Sequence, residues 1–301
     1  MRRRALIATL LLSLSLEHIC SPARTDAAEA SPPVAVGPQY DTTHVYVAPE
    51  DVDRFVASVL ATFGGRASNS VVTTVTPTPS QTFWRAVQTP VGGISVFGYK
   101  TPIPFPFGEE RTGYLVTDLD AAVSAARAAG ADVIVAPFAD PIGRDAVIQW
   151  PGGVNMQLYW HTNAPSSAPL QMTPENRVYV SADRVAAFID GFIAFSHGNV
   201  VSDDPSAPGV EIGRPNENYR RIRIESTFGK MSIAVTDGHV PYPFGRESTG
   251  YEVKDLKDTL AKATAAGATV LVEPYLAGDR RAAMVLFPGG YVAEIHARLV
   301  E

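Results

Sequence analysis

VNMQLYWH at 154–161 puts a side chain able to do chemistry on every second position. Neighbouring residues of a strand face opposite sides. Val154, Met156, Leu158 and Trp160 therefore form an apolar face that must pack on other elements, and Asn155, Gln157, Tyr159 and His161 share the other face. VAEIHAR at 292–298 repeats the device, with Ala293 and Ile295 on the packed side and Val292, Glu294, His296 and Arg298 opposite. Two shorter stretches extend the set: His44 and Tyr46 in THVYV, and Arg177 and Tyr179 in NRVYV, each alternating with valines. Histidine and glutamate can move a proton or hold a divalent ion, arginine can fix an anion, and tyrosine and glutamine can orient a ligand by hydrogen bonds. The sequence has no Gly-x-Ser-x-Gly elbow, no phosphate-cradling glycine loop and no HExxH, so hydrolase, nucleotide and zincin chemistry lack their signatures.

These stretches sit at matching places in a duplicated text. PFPFGEERTGYLVTDL at 104–119 and PYPFGRESTGYEVKDL at 241–256 match at an offset of 137 positions. The match runs without a gap from Ser95, facing Ser232, to WPGG at 150–153, facing FPGG at 287–290. Upstream, THVYV answers NRVYV at an offset of 133. The chain thus holds two copies of ordinary domain size, at 31–162 and 174–301. The linker between them, 163–173, includes Pro165 and Pro169.

Each copy reads as two βαβββ modules. In the first copy, His44–Val47 alternates as a strand, and Val52, Phe55, Val56, Val59 and Leu60 recur at helical spacing. Strands follow around 71–75, 82–87 and 93–99. After the proline-rich bridge come a strand at 113–116, Asp118 as helix N-cap, an apolar stripe of Leu119, Val123 and Ala126, and Gly130 as the stop. Strands at 132–137, 146–150 and 154–160 close the copy. Trp150 and Phe287, each preceding Pro-Gly-Gly, are expected to plug the core at a turn.

The first thirty residues read as a secretory signal peptide: Arg2-Arg3-Arg4, an apolar run from Ala5 to Leu16, and small residues up to Ala30, after which cleavage is expected. The expected destination is the periplasm or the exterior. The one cysteine, Cys20, falls in this segment and lacks a small residue directly before it, so no lipid anchor is expected. The net charge of −6 would become about −7 on removal of 1–30, and no basic stripe favours nucleic acid. No later segment is apolar enough for a membrane span. Nothing in the sequence fixes an oligomeric state.

The paired segments GYLVTDLDAAVSAARAAGADVIVAPF and GYEVKDLKDTLAKATAAGATVLVEPY, with WPGGVNMQLYW and FPGGYVAEIHA, resemble the vicinal oxygen chelate superfamily, which includes glyoxalase I, bleomycin-binding proteins and extradiol dioxygenases. The resemblance covers nearly the whole chain after residue 30. It implies an α+β fold in which four βαβββ modules form two glyoxalase-like domains, their mixed sheets curled into cups and covered by helices. Because this fold hosts many chemistries, it specifies no reaction.

Metal-dependent members place His or Gln on the first strand of each module and Glu on the last. If each copy folds on itself, the expected sets are His44, Phe97, Arg111 and Gln157 in one cup, and Arg177, Ala234, Ser248 and Glu294 in the other. Neither set suits a divalent ion. The leading expectation is therefore a protein that binds a small anionic or aromatic molecule without a metal cofactor. His44, Tyr46, Arg111, Gln157, Tyr159 and Arg177 would bind the ligand, and Glu294 and His296 would be the catalytic candidates if the protein is an enzyme. Some four-module chains join module one to module four instead; His44 and Glu294 could then share a divalent metal, as in a lyase or dioxygenase of this kind. A protein-interaction scaffold is the third class, and it predicts filled cups.

Overall fold

The computed structural model describes residues 33–163 and 165–299; the leader read at 1–30, with Cys20, lies outside them. The first copy runs β1 (Thr42–Tyr46), α1 (Val52–Phe63), β2 (Arg66–Ala67), β3 (Val71–Thr73), β4 (Thr82–Thr89), β5 (Gly92–Tyr99), β6 (Thr112–Leu115), α2 (Leu119–Ala128), β7 (Asp132–Ala139), β8 (Gly143–Trp150) and β9 (Val154–His161). The second runs β10 (Glu175–Val180), α3 (Val185–Ser196), β11 (Asn199–Pro208), β12 (Asn218–Ser226), β13 (Gly229–Val235), β14 (Ser248–Glu252), α4 (Leu256–Ala265), β15 (Thr269–Ala277), β16 (Arg280–Leu286) and β17 (Val292–Arg298). Asp118 and its counterpart Asp255 cap α2 and α4, accepting from the backbone N–H of Ala121 and Asp258. Each satisfies a donor that the first helical turn leaves unpaired.

Each copy forms its own sheet. The first has the order β2-β4-β5-β1-β6-β9-β8-β7, with β3 added beside β4; the second has the order β11-β12-β13-β10-β14-β17-β16-β15. The two modules of a copy meet where β1 runs antiparallel to β6, or β10 to β14. Within each module the first strand is parallel to the last, as in β1 with β5 and β6 with β9. The alternative joining of modules one and four in one sheet does not occur, because β17 bonds to β14 and β16 only.

The apolar layer, by contrast, is shared crosswise. Leu119, Val123 and Ala126 of α2, with Met156 and Leu158 of β9, form one core with Phe188, Phe192 and Phe195 of α3 from the other copy. Phe55, Val56 and Val59 of α1 join Leu256, Leu260 and Ala263 of α4, with Ala293 and Ile295 of β17, in a second core. Trp150 and Phe287 plug these two cores. The Trp150 ring lies 5.5 Å from Phe195 and 6.0 Å from Phe192, and Phe287 lies 6.2 Å from Phe55. Gly191 of α3 permits the closest approach, since a Cβ there would sit 2.4 Å from the Ala129 carbonyl at the end of α2. Modules one and four do meet, then, but through their helices and behind the sheets.

Polar contacts stitch the same boundary. The Thr43 and Thr249 hydroxyls are 2.9 Å apart in a buried site, and Thr112 donates to Glu247 at 3.1 Å. Burial pushes the Glu247 carboxyl up to about 7, although hydrogen bonds from Asn176 and Thr112 oppose it.

Phe192→Ala is expected to cost about 3–5 kcal/mol while thermal unfolding, followed by circular dichroism, stays a single transition, because its core belongs to both copies. Separate melting of the two copies would contradict the shared core. Glu247 holds its proton more tightly folded than unfolded, so it lowers stability as pH rises from 4.5 through 7. Glu247→Gln should therefore raise chemical-denaturation stability by on the order of 1–2 kcal/mol above that window and leave it unchanged below.

Candidate functional site

The inner face of each sheet is set by strand parity, and the level along each strand by hydrogen-bond register. In the first copy His44 pairs with Ser95 and Gly113 pairs with Gln157; in the second, Arg177 pairs with Ser232 and Gly250 with Glu294. The residues at equivalent levels are thus His44, Ser95, Gly113 and Gln157, and Arg177, Ser232, Gly250 and Glu294. The sequence expectation of Phe97, Arg111, Ala234 and Ser248 names the correct face but lies two residues away along the strands. Gly113 is needed where it stands, since a Cβ there would come within 2.4 Å of His44 Nε2.

The first cup encloses a cavity of about 250 Å³. His44, Tyr46, Gln157 and Tyr159 line it, together with Phe97, Tyr99, Trp84, Ile94, Asp145 and His161. Linker residues Pro165 and Ser167 form part of its lip, and Ser167 Oγ accepts a hydrogen bond from Gln88 at 2.9 Å. The Tyr46 ring stacks on Phe97 at 5.1 Å and on Tyr99 at 6.2 Å, and His44 meets Phe97 edge-on at 5.3 Å. The Tyr46 phenol donates to Glu110, which is fully buried and whose Oε1 lies 3.6 Å from His44 Nδ1. Burial, and then the Glu110 charge, push the Tyr46 phenol up, so it stays a donor. Burial and neighbouring Asp140 push the Asp145 carboxyl up, against a hydrogen bond from Gln157. Burial pushes His161 down towards its neutral form. Arg111 does not line the cavity; its guanidinium carbon lies 5.4 Å from the Tyr46 ring centroid.

Charged side chains fill the second cup. Arg177 Nη1 is 2.8 Å from Glu294 Oε2 and 3.4 Å from Glu175 Oε1. Arg280 grips both Glu175 oxygens at 3.1 Å, and its Nη1 lies 3.2 Å from His296 Nε2. His296 Nδ1 is 3.0 Å from Glu294 Oε1, and Tyr275 donates to Glu294 at 3.3 Å. Burial alone would raise Glu294, but Arg177, His296 and Arg280 outweigh it and hold the carboxyl at about 2. Glu175 is likewise held low, by Arg280, Arg177 and His296 against burial. Arg177, Glu294 and His296, expected to bind ligand or to catalyse, are brought together here in one ion-paired group. A smaller cavity of about 190 Å³ opens against this network, lined by its Glu175, Arg280 and His296 together with Lys230, Glu252 and Arg223.

No sequence-family profile and no curated protein matches this chain. Solved structures do. A triple mutant of 4-hydroxymandelate synthase from Streptomyces coelicolor superposes with a TM-score of 0.59 at 12% identity, over 89% of this chain and 94% of that one. The Mn(II)-bound glyoxalase from Novosphingobium aromaticivorans gives 0.52 at 13% identity, over 89% and 84%. LapB, a 2,3-dioxygenase from Pseudomonas sp. KL28, gives 0.52 at 14% identity, over 88% and 93%. This chain has the vicinal oxygen chelate fold. It carries that fold as two glyoxalase-like domains in tandem, one per curled sheet.

The donors at the metal positions of a vicinal oxygen chelate sheet do not fit a divalent ion here. At that level the first cup offers His44 and Gln157, a weakly ligating serine and a glycine. In the second cup the Arg177 guanidinium lies against Glu294, and Gly250 supplies no donor. Among the described residues, no three His, Cys, Asp or Glu side chains converge as a metal site would need. The site shared by His44 and Glu294 does not form, because β1 and β17 belong to different sheets.

Four residues that shape the cups escaped the sequence reading. Asp145 was readable by parity, since Ala146, Ile148 and Trp150 alternate with it. Glu110 aligns with Glu247 in the repeat, yet only the structure turns it to Tyr46. Glu175 and Arg280 stand where the first copy has Thr42 and Gly143, a charged pair present in one copy alone.

Arg177→Ala would strand two buried carboxylates with one arginine, at an expected cost of about 3–5 kcal/mol near neutral pH. The network's contribution through Glu294 is present above pH 4.5 and lost as pH falls towards 2. The variant's deficit should therefore shrink on acidification, which urea unfolding at several pH values would read. A deficit independent of pH would assign Arg177 a packing role instead.

Proposed function

We propose that the first domain binds an aromatic small molecule in its cup without a metal ion, while the second domain, its cup crossed by ion pairs, has a structural role. The observation that carries this reading is the 250 Å³ cavity walled by Tyr46, Phe97, Tyr99 and Trp84, set against a second cup filled by its own ion pairs. Concave, mostly aromatic surfaces with a few convergent polar groups are the usual form of a ligand site. Gln157, Tyr159, His44 and Asp145 supply those polar groups at the cavity wall. The donor sets described above support metal-free binding over the lyase or dioxygenase reading. An open cup counts against a scaffold whose cups are filled. The N-terminal run Arg2-Arg3-Arg4 and the apolar segment after it support placing this activity in the periplasm or outside the cell. Among the described residues no helix is long and apolar enough to cross a membrane.

Trp84 faces the cavity, so titration with 4-methylphenol should change tryptophan fluorescence in the parent protein. Ala86→Trp projects a large ring into the same space and should weaken binding at least about tenfold, judged by calorimetry, while the melting temperature stays close to the parent's. Equal binding by Ala86→Trp would move the ligand out of this cup.

A further inference from the structure

The wall of the first cup carries carboxyl groups that no lysine or arginine of the chain pairs with. Asp140 and Asp145 line the cavity, Asp145 being 4% exposed. Among the described residues neither aspartate has a Lys or Arg within 4.0 Å, and for Glu110, fully buried behind Tyr46 and His44, the one basic side chain within that distance is the His44 imidazole. Glu110 Oε2 and His44 Nδ1 have no hydrogen-bond partner. Of the arginines near in sequence, Arg144 is turned to Asp120 at 2.8 Å and Arg85 to Asp53 at 2.8 Å; Arg111 packs on the Tyr46 ring from outside the cavity, its guanidinium carbon 5.4 Å from the ring centroid. The second cup is built the opposite way, since an arginine meets each of its buried carboxylates there.

A buried carboxyl ionises readily only beside a positive partner, and in the first cup that partner has to come from outside the chain. Its other walls suit the same visitor. Trp84, Phe97, Tyr99 and Tyr46 line the cavity with aromatic rings, whose negative faces attract a cation and whose apolar area covers an apolar body.

We propose that the ligand of the first cup is an organic cation with an aromatic body, an arylalkylammonium in chemical class, its ammonium directed at Asp145 and Gln157 and its ring laid against Tyr46, Phe97 and Trp84. This rests on the aromatic-ligand reading above and adds the sign of the charge. It replaces the anionic ligand that Arg111 and Arg177 suggested in the sequence, since neither arginine lines this cavity.

The test is calorimetric titration of the purified protein with three ligands of similar size: benzylammonium, benzyl alcohol and benzoate. Benzylammonium is expected to bind at least about tenfold more tightly than benzyl alcohol, with benzoate weakest. Asp145→Asn should bring the benzylammonium to benzyl alcohol ratio close to one. Its fold is checked by melting temperature, which should equal or exceed the parent's because burial and Asp140 oppose the Asp145 charge. Glu110→Gln provides a second variant, expected to lower the same ratio. Benzyl alcohol binding as tightly as benzylammonium, tighter binding of benzoate, or an unchanged ratio in both variants would overturn the cationic assignment and leave the aromatic site standing. No binding of any of the three at millimolar concentration would withdraw the aromatic site, and this assignment with it.

Discussion

Each helix of this protein buries its apolar stripe against two partners at once, its own sheet and a helix of the other copy. A single curled sheet with two helices on its convex side leaves the outer faces of those helices uncovered. Here α1 lies on α4 and α2 on α3, and the aromatic residues Phe188, Phe192, Phe195, Trp150, Phe55 and Phe287 fill the seams. The arrangement closes the four modules into a ring, with hydrogen-bonded sheets joining one and two, and three and four, and apolar cores joining two to three and four to one.

Because the helices and outward strand residues carry this burden, the concave faces are free to take different contents. The same strand levels hold His44 and Gln157 in one cup and Arg177 and Glu294 in the other. One choice leaves an aromatic-walled hollow; the other fills the hollow with buried ions, each satisfied by an opposite charge. Buried ion pairs seldom add much net stability over apolar packing, and removing one member is costly. The ion pairs of the second cup are thus held in place by interdependence among its members.

Much of this was legible beforehand. Parity along VNMQLYWH separated Met156 and Leu158, fully buried among α2 residues, from Gln157, Tyr159 and His161, which line the cavity, because one face had to pack on a helix. Asp118 as cap and Trp150 as plug were equally plain, each following from local chemistry. Register was not legible. Alternation says which way a residue points and not which cross-strand neighbour it meets, so Arg111 stood in for Gly113. Module pairing was ambiguous for a physical reason as well: the apolar stripes are satisfied by a cross-copy partner that the strands do not share. The charge balance of the first cup depended on Glu110 and Asp145, whose segments carry no chemical motif.

The crosswise cores also bear on how such a chain can change. A substitution on a helix face of one copy must be accommodated by the other copy, so those surfaces are bound to drift together. A substitution inside a cup touches only its own sheet. After a duplication, then, the ancestral pocket can be kept in one half while the other is sealed or repurposed. This molecule, with one aromatic-walled hollow and one cup crossed by ion pairs on a common frame, has the form that such uneven freedom produces.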